Sequence, residues 1–280
     1  MALAAAFIPV QVGRALRRPW SADRLRAAVE SAIRAGLGPA PDALGGCGWV
    51  LSVRFAPTDE RQVDVARTYG DIRPRADECL VVLSTGAADP QDVEFDWNGN
   101  PSAAFDLDHS AHRRDVARAT LRGAAPPEAR GIEIPFLFLT SEWPEYLCAD
   151  FDDRLEIRVE GPGGDFDVAW DRAGSPISVH SAELEHPDAS SVPLESTPFG
   201  QPPDCRRNPP VACPDTEAAC ESRTVGASTG WLAARAPVRG GAWVTVVVEI
   251  ADIGDAVVDS TVLFGRPHWL TKTPVPGARR

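Results

Sequence analysis

The sequence predicts a mainly β fold, an antiparallel β-sandwich or jelly-roll-like arrangement with one N-terminal amphipathic helix packed on it. Three observations lead there. From Trp49 onward apolar residues recur with period two in short runs. Turn residues separate those runs, and helical periodicity is confined to one stretch ahead of them. In that stretch Ser21 is a suitable N-cap, Leu25, Val29 and Ile33 recur every four residues, and Gly36 ends the run. A single apolar stripe of this kind needs a larger body to pack on.

The strands follow in order. Trp49, Leu51, Val53 and Phe55 alternate with Val50, Ser52 and Arg54, and Cys79–Leu83 is a short apolar run closed by Ser84, Thr85 and Gly86. Val93, Phe95 and Trp97 alternate with acidic residues before an Asn98-Gly99 turn. The run over 132–139, IEIPFLFL, is apolar on both faces, which predicts a central strand in which Pro135 removes one ladder donor. Leu155, Ile157 and Val159 alternate with charged residues, and Gly161–Gly164 turns the chain into Phe166, Val168 and Trp170. WVTVVVEI over 243–250 is strongly β-branched, and 260–264 reads as a last short strand. Residues 187–228 are rich in Ser, Pro, Asp and Cys and lack periodicity, so they read as a loop insertion between strands. The organisation expected is an N-terminal segment over 1–20, a single domain over 21–270 containing that insertion, and a loose tail over 271–280.

Composition excludes several classes of function. The chain has 280 residues, 44% of them hydrophobic and 24% charged, enough for a core. Nothing approaches the roughly 20 consecutive apolar residues of a transmembrane helix. A net charge of −12, with acidic groups spread along the chain, argues against a nucleic-acid partner, which needs clustered Lys and Arg. Met1–Val10 is apolar but no basic residue precedes it, and Arg14, Arg17 and Arg18 come after it, so no clear secretory signal is read. The six cysteines, Cys47, Cys79, Cys148, Cys205, Cys213 and Cys220, are nevertheless candidates for disulfides. The last three lie in a Pro-rich stretch whose spacing fits no common zinc pattern. Spacing leaves the pairing open.

No nucleophile elbow, zinc-protease motif or phosphate loop is present. His109 and His112, near Asp106 and Asp108, form a weak metal motif and read as a solvated loop. Trp97, Trp143, Trp170 and Trp231 suggest a sugar-stacking platform, with half-buried packing as the plainer account. Glu142 and Glu145 could serve as the acid and base of a glycan hydrolase, since two carboxylates some 5–10 Å apart suffice for that chemistry, roughly. The acidic residues at predicted strand ends fit oxygen ligation of calcium better. Asp106, Asp108, Glu142, Glu145, Asp153, Asp252, Asp255 and Asp259 form the candidate ligand set. Crowded carboxylates repel one another, and a bound cation would relieve that repulsion.

Three segments in this order resemble the choice-of-anchor L domain family. CLVVLSTG over 79–86 resembles its GIVLSTG element. FLFLTSEWPEYLCADFDDRLEIRVEGPGG over 136–164 resembles its strand, SEEYPEY turn and following strand, with Ser141, Glu142, Pro144, Glu145, Tyr146, Phe151 and Asp153 matching. The run over 228–264 resembles the close of that domain, with Asp252, Gly254, Asp255, Asp259 and Ser260 on its positions. The DLD of 106–108 fits an element between the first two. The likeness spans roughly Ala22–Leu270. Trp143 replaces a common second Glu, and Phe264-Gly265-Arg266-Pro267 replaces the closing LDNF, so an acidic group of the pattern is missing. The resemblance implies an extracellular, β-rich module of bacterial surface proteins serving adhesion or display, with no established catalytic residues. The function expected is therefore a non-catalytic extracellular or cell-surface binding module, stabilised by calcium, with an unknown surface protein or glycan as partner. A self-assembling structural protein is the alternative.

Overall fold

A computed structural model of the chain describes residues 51–57, 60–74, 79–88, 113–143, 152–184, 226–253 and 259–280. Fourteen strands and one 3₁₀ turn (Glu60–Gln62) occur in them. The strands are β1 (Ser52–Phe55), β2 (Val63–Ala66), β3 (Leu80–Ser84), β4 (Arg113–Ala124), β5 (Gly131–Thr140), β6 (Arg154–Glu160) and β7 (Phe166–Asp167). They continue with β8 (Ile177–Ser178), β9 (Ala227–Ser228), β10 (Leu232–Pro237), β11 (Trp243–Ile253), β12 (Ser260–Phe264), β13 (His268–Leu270) and β14 (Gly277–Arg279).

The strands form two antiparallel sheets. Sheet A runs β1-β4-β11-β6-β7, with β8 also on β6, and sheet B runs β14-β10-β5-β12-β3-β2, with β9 and β13 also on β5. The chain changes sheet at β1 to β2, β3 to β4, β4 to β5, β5 to β6, β8 to β9, β10 to β11 and β11 to β12. Period-two alternation then gives each strand one face for the shared interior. Val53 and Phe55, Ala117 and Leu121, Ile157 and Val159, and Val246 and Val248 come from sheet A. They pack with Val81 and Leu83, Ile134, Phe136 and Phe138, and Val262 and Phe264 from sheet B. A fully buried Phe contributes roughly 1.5–3 kcal/mol through removal of its surface from water. Phe136, Phe138 and Phe264 are all in that position.

Sheet B is buried on both faces. Leu80, Val82, Leu137, Leu139 and Leu263 point away from the shared interior, yet form a second apolar cluster with Tyr69 and Ala88. This is why β5 reads as apolar throughout, as expected of a central strand. Its Pro135 sits where the ladder breaks: β12 ends at Phe264, β13 starts at His268, and the Gly265 N–H donates to the Pro135 carbonyl at 2.9 Å. No donor is needed from residue 135 there.

Several expectations change. Residues 271–280 are no loose tail, because β14 pairs with β10 through Ala233↔Arg279, Ala234↔Ala278 and Arg235↔Gly277. The end of the expected insertion, 227–228, is β9, paired to Leu139 and Thr140. Strands β2, β4, β8, β10, β13 and β14 also escape sequence reading. The interior side of β4 carries only Ala117, Ala119 and Leu121, and its outward residues are Arg and Thr, so it offers little apolar contrast. Gly123 on that strand packs closely under Leu51, whose side-chain end would have to shift to admit a Cβ there. The expected helix over 21–36, the strand over 93–97 and most of the segment 187–228 lie outside the described residues.

Candidate functional site: the acidic rim

Strand direction alone places the acidic residues together. β3, β5 and β11 end at one rim of the sandwich, and β4, β6 and β12 begin there. Thr85 and Gly86, Thr140–Glu142 and Asp252 arrive on the first three strands. Asp115, Asp153 and Asp259 depart on the others.

The rim is laced by hydrogen bonds. Gln62, fully buried, donates its amide to the Thr85 carbonyl at 2.9 Å and to the Asp115 carbonyl at 2.7 Å. The Thr85 hydroxyl accepts the Ser260 N–H at 2.9 Å and donates to Asp153 Oδ2 at 3.3 Å. Glu142 Oε2 accepts the Asp153 N–H at 3.1 Å, and the Glu142 N–H donates to Thr140 Oγ1 at 3.1 Å. Ser260 Oγ and Thr140 Oγ1 are 2.9 Å apart, and the Ser141 N–H donates to the Asp259 carbonyl at 3.1 Å. Ser141 Oγ is buried and has no hydrogen-bond partner among the described residues.

Two features stand apart. Asp115 has φ of 45°, the one non-glycine residue with positive φ among the described residues. It sits in a β-bulge: Ile250 pairs with Ala117 and Asp252 with Arg114, so Asp115 and Val116 together face Ala251. Bulges turn side chains out of the ladder's alternation, and they recur beside functional sites. Sequence reading missed Asp115, because it lies in a basic stretch, RRDVAR, and no residue pattern announces a bulge. The second feature is Asp259. Part of the residue reaches solvent, but its carboxyl is enclosed and packed over Gly86, where a Cβ would overlap it. Burial, and the charge of Asp115 after it, push the Asp259 carboxyl up to about 7.

Of the eight expected calcium ligands, Glu142, Asp153, Asp252 and Asp259 come to this rim, the first three nearly fully buried. Asp106, Asp108, Glu145 and Asp255 lie outside the described residues. Among the described residues no three His, Cys, Asp or Glu are arranged to hold a metal ion. Cys79 is fully buried and disulfide-bonded; Cys47, Cys148, Cys205, Cys213 and Cys220 lie outside the described residues. The tryptophans of the expected platform are placed in part. Trp231 packs on the second apolar cluster of sheet B, Trp170 lies beyond β7 and bridges to Pro176, and Trp97 is outside the described residues.

Other carboxylates are committed to holding loops. Asp171 accepts the N–H groups of Ala173, Ser175 and Ala182 and the Ser181 hydroxyl. Burial alone would raise its pKa, but these donors outweigh that and lower it. Asp152 behaves alike: against its burial, bonds from His180, Ser178 and Arg154 lower it to about 2. Glu183, buried, meets Arg172 Nε at 2.6 Å and Arg280 Nε at 3.5 Å.

No helix among the described residues is long and apolar enough to cross a membrane. No family model matches this sequence, and no curated protein matches it. Among solved structures, that of TmCBM61 in complex with β-1,4-galactotriose is similar at 8% identity and a TM-score of 0.32, over 78% of this chain and 88% of that one. A score at that level lies below a shared fold, and the functional reading rests on the residues of this chain.

Proposed function

We propose that this chain is a non-catalytic binding or adhesion module of an extracellular or cell-surface protein, of the choice-of-anchor L type, built as a jelly-roll-like sandwich. The observation that carries the reading is how the acidic side chains are used. Glu142, the one member of the suggested acid/base pair among the described residues, is buried and holds the Asp153 N–H. Asp153, Asp171 and Glu183 are likewise bound to hydroxyls, N–H groups or arginines of their own fold. Carboxylates spent in this way shape a scaffold; a general acid needs an open approach to its substrate. The disulfide at Cys79 suits an oxidising compartment.

The proposal includes calcium as a stabilising cation of the rim. Asp259 beside Asp115 is the site of charge pressure that a cation would relieve. Thermal melts of the full chain test this part. Calcium should raise the melting temperature and EDTA lower it; identical melts with and without chelator would remove calcium from the account. The binding role is tested by retention of the purified chain on immobilised surface glycans and matrix proteins, with light scattering alongside. A monomer that is retained supports a binding module. Concentration-dependent assembly without retention would favour a structural surface protein.

A further inference from the structure

The two outer faces of the sandwich differ. On sheet B that face is filled by the cluster around Leu137, Leu139 and Leu263, all 5% exposed or less. On sheet A it is polar and progressively open toward the rim opposite the acidic one. Val244, Val246, Val248 and Ile250 face the interior, so Trp243, Thr245, Val247 and Glu249 project outward from β11. Exposure along this row climbs from 2% at Glu249 to 8% at Val247 and 54% at Trp243.

Trp243 is the most exposed aromatic side chain among the described residues, and it is held rather than loose. The Arg122 guanidinium lies 5.3 Å from its ring centroid, a cation–π contact across β4 and β11. Thr245 stands level with Arg122 on one side and Glu160 on the other. In the next row Val247 lies between Thr120 and Arg158, with Arg54 beyond Thr120 and Asp167 beyond Arg158. Glu160 also lines a small surface hollow formed with the Gly161–Gly164 turn, the connection at Pro237–Arg239 and Val244, the residue after Trp243.

This combination selects an occupant. A protein partner of ordinary affinity needs an apolar centre, and here one aromatic ring stands among polar residues. A nucleic acid or an anionic surface needs excess positive charge, yet arginines and carboxylates alternate here. An uncharged sugar has an apolar C–H face and a rim of hydroxyls that both donate and accept. A fixed indole ring matches the first, and interleaved Arg, Thr and Glu match the second.

We propose that the outer face of sheet A at its Trp243 end is a binding platform for neutral glycans, with Trp243 as the stacking residue and Arg122 as its positioning residue. The assignment rests on the binding-module reading and gives it a site and a ligand class. The test uses the full chain on an array of neutral oligosaccharides, then fluorescence titration with the strongest binder. Trp243→Ala should weaken binding about tenfold or more, as for a buried-on-binding aromatic anchor. Arg122→Gln should weaken it less, and Trp170→Ala should leave it unchanged. All three variants should melt near the parent temperature, which separates lost contact from lost fold. Failure of the parent chain to bind any neutral glycan overturns the assignment, as does equal binding by Trp243→Ala. Retention only of sulfated glycans, abolished by salt, overturns it too. Retention on immobilised matrix protein that survives Trp243→Ala would overturn this site while leaving the binding-module reading intact.

Discussion

Asp259 and Gly86 show how a single contact sets conditions for the acidic rim. The Asp259 carboxyl lies where any side chain at position 86 would have to go. Gly86→Ala should therefore cost about 1–3 kcal/mol through overpacking, read as a shift in the denaturant midpoint. The same carboxyl makes stability depend on pH. Its ordinary value of 3.8 is raised to about 7 in the fold. Between these values the folded chain keeps a proton that the unfolded chain has lost, so stability falls as pH rises through that window and levels off above it. Asp259→Asn, measured in EDTA, should flatten this slope. It should be more stable than the parent at pH 8, by an amount on the order of a few kcal/mol that vanishes toward pH 4. A parent chain with no loss of stability across the window would contradict the placement of this carboxyl. Four of the rim's acidic residues were legible in the sequence because strand ends and turns are where such residues gather. Asp115 was not, since its position depends on a backbone bulge opposite Ala251 that only the pairing of β4 with β11 defines.

At the scale of elements, legibility followed apolar contrast. β5, β6, β11 and β12 carry large branched or aromatic residues against charged or turn neighbours, and each reads as a strand. β4, central in sheet A between β1 and β11, uses alanine on its interior face and was invisible to periodicity. β14 was hidden for another reason: Gly277 and Ala278 follow Pro274 and Pro276, a composition of turns, yet the backbone of β10 offers them a partner. Arg280 adds a contact to buried Glu183, which also carries Arg172. Removing residues 274–280 should consequently lower the melting temperature by roughly 5–10 °C, the expectation for a loss of a few kcal/mol in a domain of this size. An unchanged melt would mean that the β10–β14 pairing contributes nothing in solution.

For the molecule as a whole, the two-sheet architecture has a functional consequence. Sheet B is enclosed on both faces, which leaves the Trp243 end of the outer face of sheet A as an open polar surface among the described residues. Mainly β character and two packed antiparallel layers followed from period-two alternation, because alternation is the physical requirement of a half-buried strand. The expected role followed from motif resemblance, and the face that would serve it did not, since an exposed Trp243 matters only once its neighbours across β4 and β6 are known. The account's central claim is that this chain holds a ligand without changing it. The direct measurement is to incubate the full chain with the glycan or surface protein it retains and to analyse the recovered ligand by mass spectrometry, beside Glu142→Gln. The account predicts intact ligand from both, however long the incubation. Shortened ligand from the parent chain, absent from the Glu142→Gln sample, would contradict it.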